Sequence, residues 1–344
     1  MITRELPTTL VQTFRQSALD DGAHTKLADR LRALPDPSGD LDHASAVLLQ
    51  AFAATLPTAQ LQEILDFGRH ADAPGVMLVE NLPVDLGLPP TPADGEPAVK
   101  EAGGHVAENV IVGLSGLLGE PIGFQTEKAG RAIHDVVPVS KGATTQTNQG
   151  SRVFLNFHND IVYDAQGRYD VSNPDFLVLN CLRQDPQAKA VTYYADARDI
   201  SAILDEDSLR ILRAPLFRLN APGSYCRDVA GKDEVLSDPV AIIHGPASSP
   251  EIAVSANGVR GLTPEAETAL AALQEACRDE RICHQVTLRP GQALLINNRK
   301  GLHARSAFPA FHDGTDRWLQ RTYVRRTLWS LRDRGTDVGP RVFA

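Results

Sequence analysis

The stretch QVTLRPGQALLINNRKGLHARSAF, residues 285–308, carries the clearest fold signal in the chain. VTL (286–288) and ALLIN (293–297) are short, apolar runs of the kind that fill a pleated, buried strand. Between them, Arg289-Pro290-Gly291-Gln292 has a type II turn signature. Pro presets φ at the second position, and Gly accepts the positive φ of the third. Strand, tight turn and strand read together as a buried hairpin. Its far end runs into NRKGLHAR, which carries His303.

Outward from this stretch the texture stays β-like. RAIHDVVPV, RVFLNFH, DFLVLNCLR, KAVTYYA, PVAIIHG, EIAVSA and RWLQRTYVRR are further short runs separated by turns. Many short strands with regular punctuation predict a sandwich or barrel. Two helical segments interrupt it, at 196–213 and 262–280. In the second, Thr263 is placed as N-cap, with Pro264 in the first turn and acids at the positive helix end. Upstream, residues 1–70 read as helical. The run Ser45–Phe67 has apolar residues at helical spacing broken at Pro57, with Thr58 a candidate N-cap; Leu61 sits where a capping box needs Glu or Gln. GVMLVENLPV (75–84) reads as a strand, LGLPPTPADGEPA (86–98) as a loop, and AENVIVGLSGLLG (107–119) as an amphipathic helix ended by Gly119. The expectation is a mixed, mainly β chain: a helical region over 1–70 packed on one structural unit over 71–344.

Composition narrows the function. A chain of 344 residues can bury a large core. Its formal net charge of −9 argues against nucleic-acid binding, which needs a basic surface. Cys181, Cys226, Cys277 and Cys283 match no zinc or redox spacing and read as idle thiols in a reducing compartment. No run approaches about 18 apolar residues, so no membrane span is expected. MITRELPTTLVQTF lacks the apolar segment of a signal peptide, which makes the cytoplasm the default. The expected partner is a small molecule.

Chemistry concentrates in FLNFHNDIVYD, residues 154–164. In a strand, residues two apart share a face, so His158 and Asp160 present imidazole and carboxylate together. Such a pair is often structural. It becomes two-thirds of a 2-His-1-carboxylate iron face once a distant strand or loop supplies another imidazole, and His303 is placed to do so. DRWLQRTYVRR (316–326) puts Arg317 and Arg321 on one face and Trp318 and Gln320 on the other. Buried guanidiniums need anions, and their geometry matches carboxylates, so this face is suited to two carboxylates. Arg325 and Arg326 read as surface residues of an edge strand.

HND (158–160), NRKGLHAR and DGTDRWLQRTYVR, with GFQTEKAGRAIHDVVPV (123–139) and QTNQGSRVFLNFH (146–158), resemble the clavaminate synthase-like branch of Fe(II)/2-oxoglutarate-dependent oxygenases. The likeness spans about residues 75–330. It implies a double-stranded β-helix (jelly-roll) core and hydroxylation of C3 or C4 of a free amino acid, with Fe(II), 2-oxoglutarate and O2 required. It implies Fe(II) ligation by His158, Asp160 and His303. Arg317 and Thr192 would take the distal carboxylate of 2-oxoglutarate, and Arg321 the substrate α-carboxylate. Gln125 would meet the substrate's amino end, with Asn156 a further pocket candidate.

Two departures stand out. Asp160 replaces the Glu common in close relatives, and a short extra loop around 165–173 follows the motif. A carboxylate at position 160 favours hydroxylation over halogenation, since related halogenases carry a small residue there. For the substrate, Ser255 and Asn257 stand where arginine hydroxylases place acids. Asp228, Asp233 or Glu234 could instead hold an ammonium, so lysine or another basic amino acid ranks first, then asparagine or a neutral polar one. Desaturation, a carrier-tethered substrate, and a catalytically silent jelly-roll binding module are the alternatives.

Overall fold

The computed structural model describes residues 13–101, 103–144, 150–161, 173–223, 225–332, 335–336 and 339–343. Eight strands frame the site: β1 (Ile133–Val136), β2 (Leu155–His158), β3 (Phe176–Arg183), β4 (Thr192–Asp196), β5 (Cys283–Val286), β6 (Ala293–Asn297), β7 (Gly301–Arg305) and β8 (Trp318–Arg325). The chain crosses between two sheets at nearly every connection. The smaller sheet runs β5-β4-β7-β2. In the larger one, β6, β3 and β8 are consecutive and β1 pairs with β8. Every pairing among these eight is antiparallel. The strands Phe14–Ala18, Val76–Glu80, Glu120–Phe124, Gly335–Thr336 and Gly339–Phe343 widen the larger sheet.

Alternation of side chains builds the layers. In β3, Phe176 and Val178 point one way, into a core shared with the helices. Leu177 and Leu179 point the other way, into the space between the sheets. There they meet Tyr194 and Val286 of the smaller sheet and Leu294, Leu319 and Tyr323 of the larger. The helical cover on the larger sheet is α1 (Asp21–Arg32), α2 (Leu41–Ala53), α3 (Thr58–Arg69) and α4 (Val106–Leu118). Leu27, Phe52, Ile64 and Val110 from these helices are fully buried against it. Three further helices, α5 (Ala197–Ile203), α6 (Glu206–Leu212) and α7 (Pro264–Ala276), cover the outer face of the smaller sheet through Ile200, Leu212 and Leu273. Apolar burial on three levels supplies the main driving force.

Several local expectations are met. Thr263 caps α7, its hydroxyl accepting from Ala266 N at 3.2 Å. Gly119 follows α4, and α2 and α3 break around Pro57. Gly291 has φ +82° and Gln292 N donates to Arg289 O at 3.0 Å, as a type II turn requires.

Other expectations are corrected. The strands flanking that turn are not a hairpin: β5 lies in the smaller sheet and β6 in the larger. The turn is a corner between sheets, with Leu288 packed into the inter-sheet core. Residues 301–305 form β7, so His303 sits mid-strand rather than at the tip of a hairpin. Thr58 is the first residue of α3, and no side chain caps that helix. Phe14–Ala18, in the region read as helical, pairs in parallel with Val76–Glu80. Helix α4 is buried nearly all round because α2 and α3 cover the side away from the sheet. Arg325 is buried, since β8 lies inside the sheet; its Nε is 3.4 Å from Asp175.

Candidate active site

One cavity of about 570 Å³ opens between the two sheets. His158, Asp160 and His303 line it, and one ligand-capable atom from each lies within 4.8 Å of the others. The cross-strand register places them, because His303 of β7 pairs directly with His158 of β2. Their ring centroids are 4.3 Å apart. Asp160 Oδ1 is 3.3 Å from His158 Nε2 and 3.8 Å from His303 Nε2. Donor atoms around a six-coordinate ion with bonds of about 2.1 Å sit about 3 Å apart. The three atoms therefore fit a small divalent cation after minor contraction.

The protonation pattern agrees with that use. His158 Nδ1 lies 2.7 Å from Asn156 O, so this nitrogen carries the proton and Nε2 presents a lone pair to the cavity. Burial pushes His303 down to about 3, reinforced by His158 and opposed by Asp160, which leaves a neutral imidazole. Burial alone would raise Asp160. The Arg321 guanidinium outweighs it and holds the carboxyl well below the usual carboxylate range.

Two asparagines lock this geometry. Asp160 N donates to Asn298 Oδ1 at 3.0 Å, and Asn298 Nδ2 donates back to Asp160 O at 2.9 Å. Asn159 Nδ2 reaches the carbonyls of Asn298 and Gly301 at 2.6 and 2.9 Å. The turn holding Asp160 is thereby tied to the β6–β7 connection that leads to His303. Gly301 is required here, since a Cβ would come within 2.4 Å of Tyr194 Oη. Neither asparagine was singled out from the sequence.

The arginines divide as their spacing predicts. Arg317 and Arg321 face the cavity, while Trp318 and Gln320 turn to the α4 side; Gln320 donates to Glu108 at 2.7 Å. Arg317 is 6 % exposed, burial lowers it to about 10, and among the described residues its guanidinium has no ion-pair partner. Thr192, also buried, lines the same cavity. Arg321 is already paired. Nη1 donates to Asp160 Oδ2 at 2.8 Å and Nη2 to Glu127 Oε2 at 3.2 Å. Its Nη2 also lies 3.1 Å from His134 Nδ1, and its Nε is buried without a partner.

Two candidates fall elsewhere. Gln125 is exposed and does not line the cavity; Glu127, two residues on, does. Glu127 accepts from Tyr323 Oη at 2.9 Å, and burial, opposed by Arg321, raises its carboxyl. Asn156 is exposed, and its Oδ1 accepts from Arg278 at 3.3 Å; its contribution to the site is the carbonyl that holds His158. A register shift explains it. His303 pairs with His158 but Arg305 pairs with Leu155, so β2 carries one extra residue and simple alternation fails. Ser255 and Asn257 both reach the cavity. Most of the extra loop, residues 165–172, and the side chain of Asp228 lie outside the described residues.

Residues 48–323 match the family described as "Taurine catabolism dioxygenase TauD, TfdA family". The chain is 33% identical over 304 residues to an L-asparagine oxygenase of Streptomyces coelicolor, covering 88% of this chain and 85% of that protein. It is 30% identical over 285 residues to an L-lysine 3-hydroxylase of Catenulispora acidiphila, covering 82% and 76%. A solved structure of asparagine oxygenase in complex with Fe(II), 2S,3S-3-hydroxyasparagine and succinate superposes with a TM-score of 0.82 at 30% identity. The match covers 95% of this chain and 98% of that one.

Proposed function

The chain belongs to the taurine catabolism dioxygenase TauD, TfdA family, and from that premise we propose that it hydroxylates C3 or C4 of a free L-amino acid, using Fe(II), 2-oxoglutarate and O2. The observation that carries this reading is the shared Asp160 oxygen, 3.3 and 3.8 Å from two imidazole nitrogens, in a cavity that also holds two buried arginines. The crossing of eight antiparallel strands between two sheets supports a double-stranded β-helix core, with helices α1 to α4 as its helical cover. No helix among the described residues is long and apolar enough to cross a membrane, and all four cysteines are free, which supports a cytoplasmic enzyme.

His158, Asp160 and His303 would hold Fe(II). With 2-oxoglutarate and O2, such an ion would supply the oxidising power to insert oxygen into an unactivated C–H bond. The protein's own task is placement. Arg317, lacking a protein anion, takes the distal carboxylate of 2-oxoglutarate, and the Thr192 hydroxyl adds a donor. Arg321 offers its unpartnered Nε–H to the substrate α-carboxylate. Glu127, which replaces Gln125 in this role, accepts the α-ammonium. An amino acid gripped at both ends of its backbone presents its β- and γ-carbons toward the metal face, and the grip sets which C–H is nearest.

Lysine or another basic amino acid suits a cavity that has Glu96 and Glu127 in its wall. One observation favours the second reading, asparagine or another neutral polar side chain. Glu234 pairs with Arg260 at the surface, Asp233 is exposed, and neither lines the cavity, whereas Arg227, Ser255 and Asn257 do. The chemistry is tested by adding Fe(II) and 2-oxoglutarate without oxygen. A weak visible charge-transfer band is expected, and a catalytically silent binding module gives none.

A further inference from the structure

The strand that carries His303 ends in a second side chain the mechanism leaves unused. Arg305 lies two residues after His303, on the same face of β7, and lines the same cavity. It is 6 % exposed. Its register partner across the smaller sheet is Thr192. Nη1 donates to Ser306 O at 3.0 Å, while Nε and Nη2 are inaccessible to solvent and have no partner. Among the described residues no carboxylate pairs with it. Arg305 and Arg317 flank one ring, their guanidinium carbons 5.1 and 5.7 Å from the centroid of Phe308.

Two buried guanidiniums side by side, both without a protein anion, form an expensive arrangement. A ring face stabilises a cation only modestly. What such a pair fits is a ligand carboxylate, whose two oxygens offer about four acceptor sites and can receive two forks at once. On the function proposed above, which this step rests on, the carboxylate beside Arg317 and Thr192 is the distal one of the 2-oxoacid. We infer that Arg305 is a second anchor for that carboxylate, and that the Arg305–Arg317 pair makes the site select a dicarboxylic cosubstrate. Arg321 instead pairs with Asp160 and Glu127 and serves the amino acid, so Arg305 is not needed to hold the substrate backbone.

The test needs no iron. Binding of glutarate and of butyrate to the purified protein is measured by calorimetry and thermal shift. The variants are Arg305→Gln, Arg305→Lys and Arg317→Gln. Glutarate binds the wild type well above butyrate. Arg305→Gln weakens glutarate by about tenfold or more and shrinks the preference over butyrate; Arg305→Lys, which keeps the charge but not the fork, falls between. In turnover, Arg305→Gln raises KM for 2-oxoglutarate by more than it raises KM for the amino acid. If both Arg305 variants bind glutarate like the wild type while Arg317→Gln loses it, the inference is overturned and the proposed function stands. If Arg317→Gln also binds glutarate normally, the assignment of this subsite to the 2-oxoacid is overturned, and the role of Arg305 falls with it. Arg305→Lys covers the case in which Arg305→Gln does not fold.

Discussion

Arg321 Nη1 and Asp160 Oδ2 meet at 2.8 Å, which turns the other oxygen of Asp160 toward both histidines. One guanidinium thus orients the carboxylate of the candidate metal face while its Nη2 reaches Glu127. Removing it by Arg321→Ala leaves the buried Asp160 carboxylate without its guanidinium and takes an ion-pair partner from the partly exposed Glu127. A loss of about 3–5 kcal/mol in unfolding free energy is expected from denaturant titration. Amino-acid binding is lost with it, while slow, uncoupled decay of 2-oxoglutarate persists. Unchanged amino-acid affinity would refute the role given to Arg321.

Asn298 holds Asp160 at two backbone atoms and touches no ligand site. Asn298→Ala is expected to raise the Fe(II) concentration for half-maximal activity about 10- to 100-fold. Activity returns at high iron. A variant that saturates at wild-type iron would show that the turn is held by other contacts.

Glu127→Gln removes the negative charge beside Arg321 without removing an acceptor. KM for the amino acid should rise about tenfold, with KM for 2-oxoglutarate unchanged. Steady-state kinetics with each substrate varied in turn separates the two. Equal rises in both constants would contradict the ammonium role.

His134 supplies a pH test. Burial first, then Arg321, pushes it down to about 3 from an ordinary value of 6.5. Its Nδ1 accepts from Arg321 and its Nε2 donates to Arg131 O at 2.7 Å, an arrangement only the neutral ring can make. Between pH 6.5 and 3 the unfolded chain binds a proton there that the native state does not. Stability therefore falls as pH falls, by about 2 kcal/mol from pH 6.5 to 4.5 through this group alone. His134→Gln should flatten that slope. Parallel slopes in denaturant melts of the two proteins would rule the mechanism out.

The residues legible in the sequence were those whose spacing alone decides their face. His158 with Asp160, and Arg317 with Arg321, are even-numbered offsets on or beside strands, and the structure turns each pair into the cavity. Gln125, implied by the resemblance, lies beyond the strand Glu120–Phe124 and outside the cavity, and Asn156, placed by alternation, sits at a register shift. Glu127 left a faint signal. Tyr323 shares the face of Arg321, and a buried hydroxyl next to a guanidinium calls for an acid. Asn298 left none, since its partner Asp160 is 138 residues away. The type II turn at Pro290–Gly291 shows why topology stayed hidden. A turn's residues specify how sharply the chain bends, while the sheet that each flanking strand joins depends on distant pairing partners.

The most direct measurement offers each free proteinogenic amino acid to the Fe(II)-loaded protein with 2-oxoglutarate and O2, following succinate and product mass. One amino acid, or a small set with polar side chains, should stimulate succinate formation and gain a single oxygen in equal amount. His303→Ala should abolish both signals. If no amino acid gains oxygen, or if His303→Ala still turns over, hydroxylation of a free amino acid at the His158–Asp160–His303 face is contradicted.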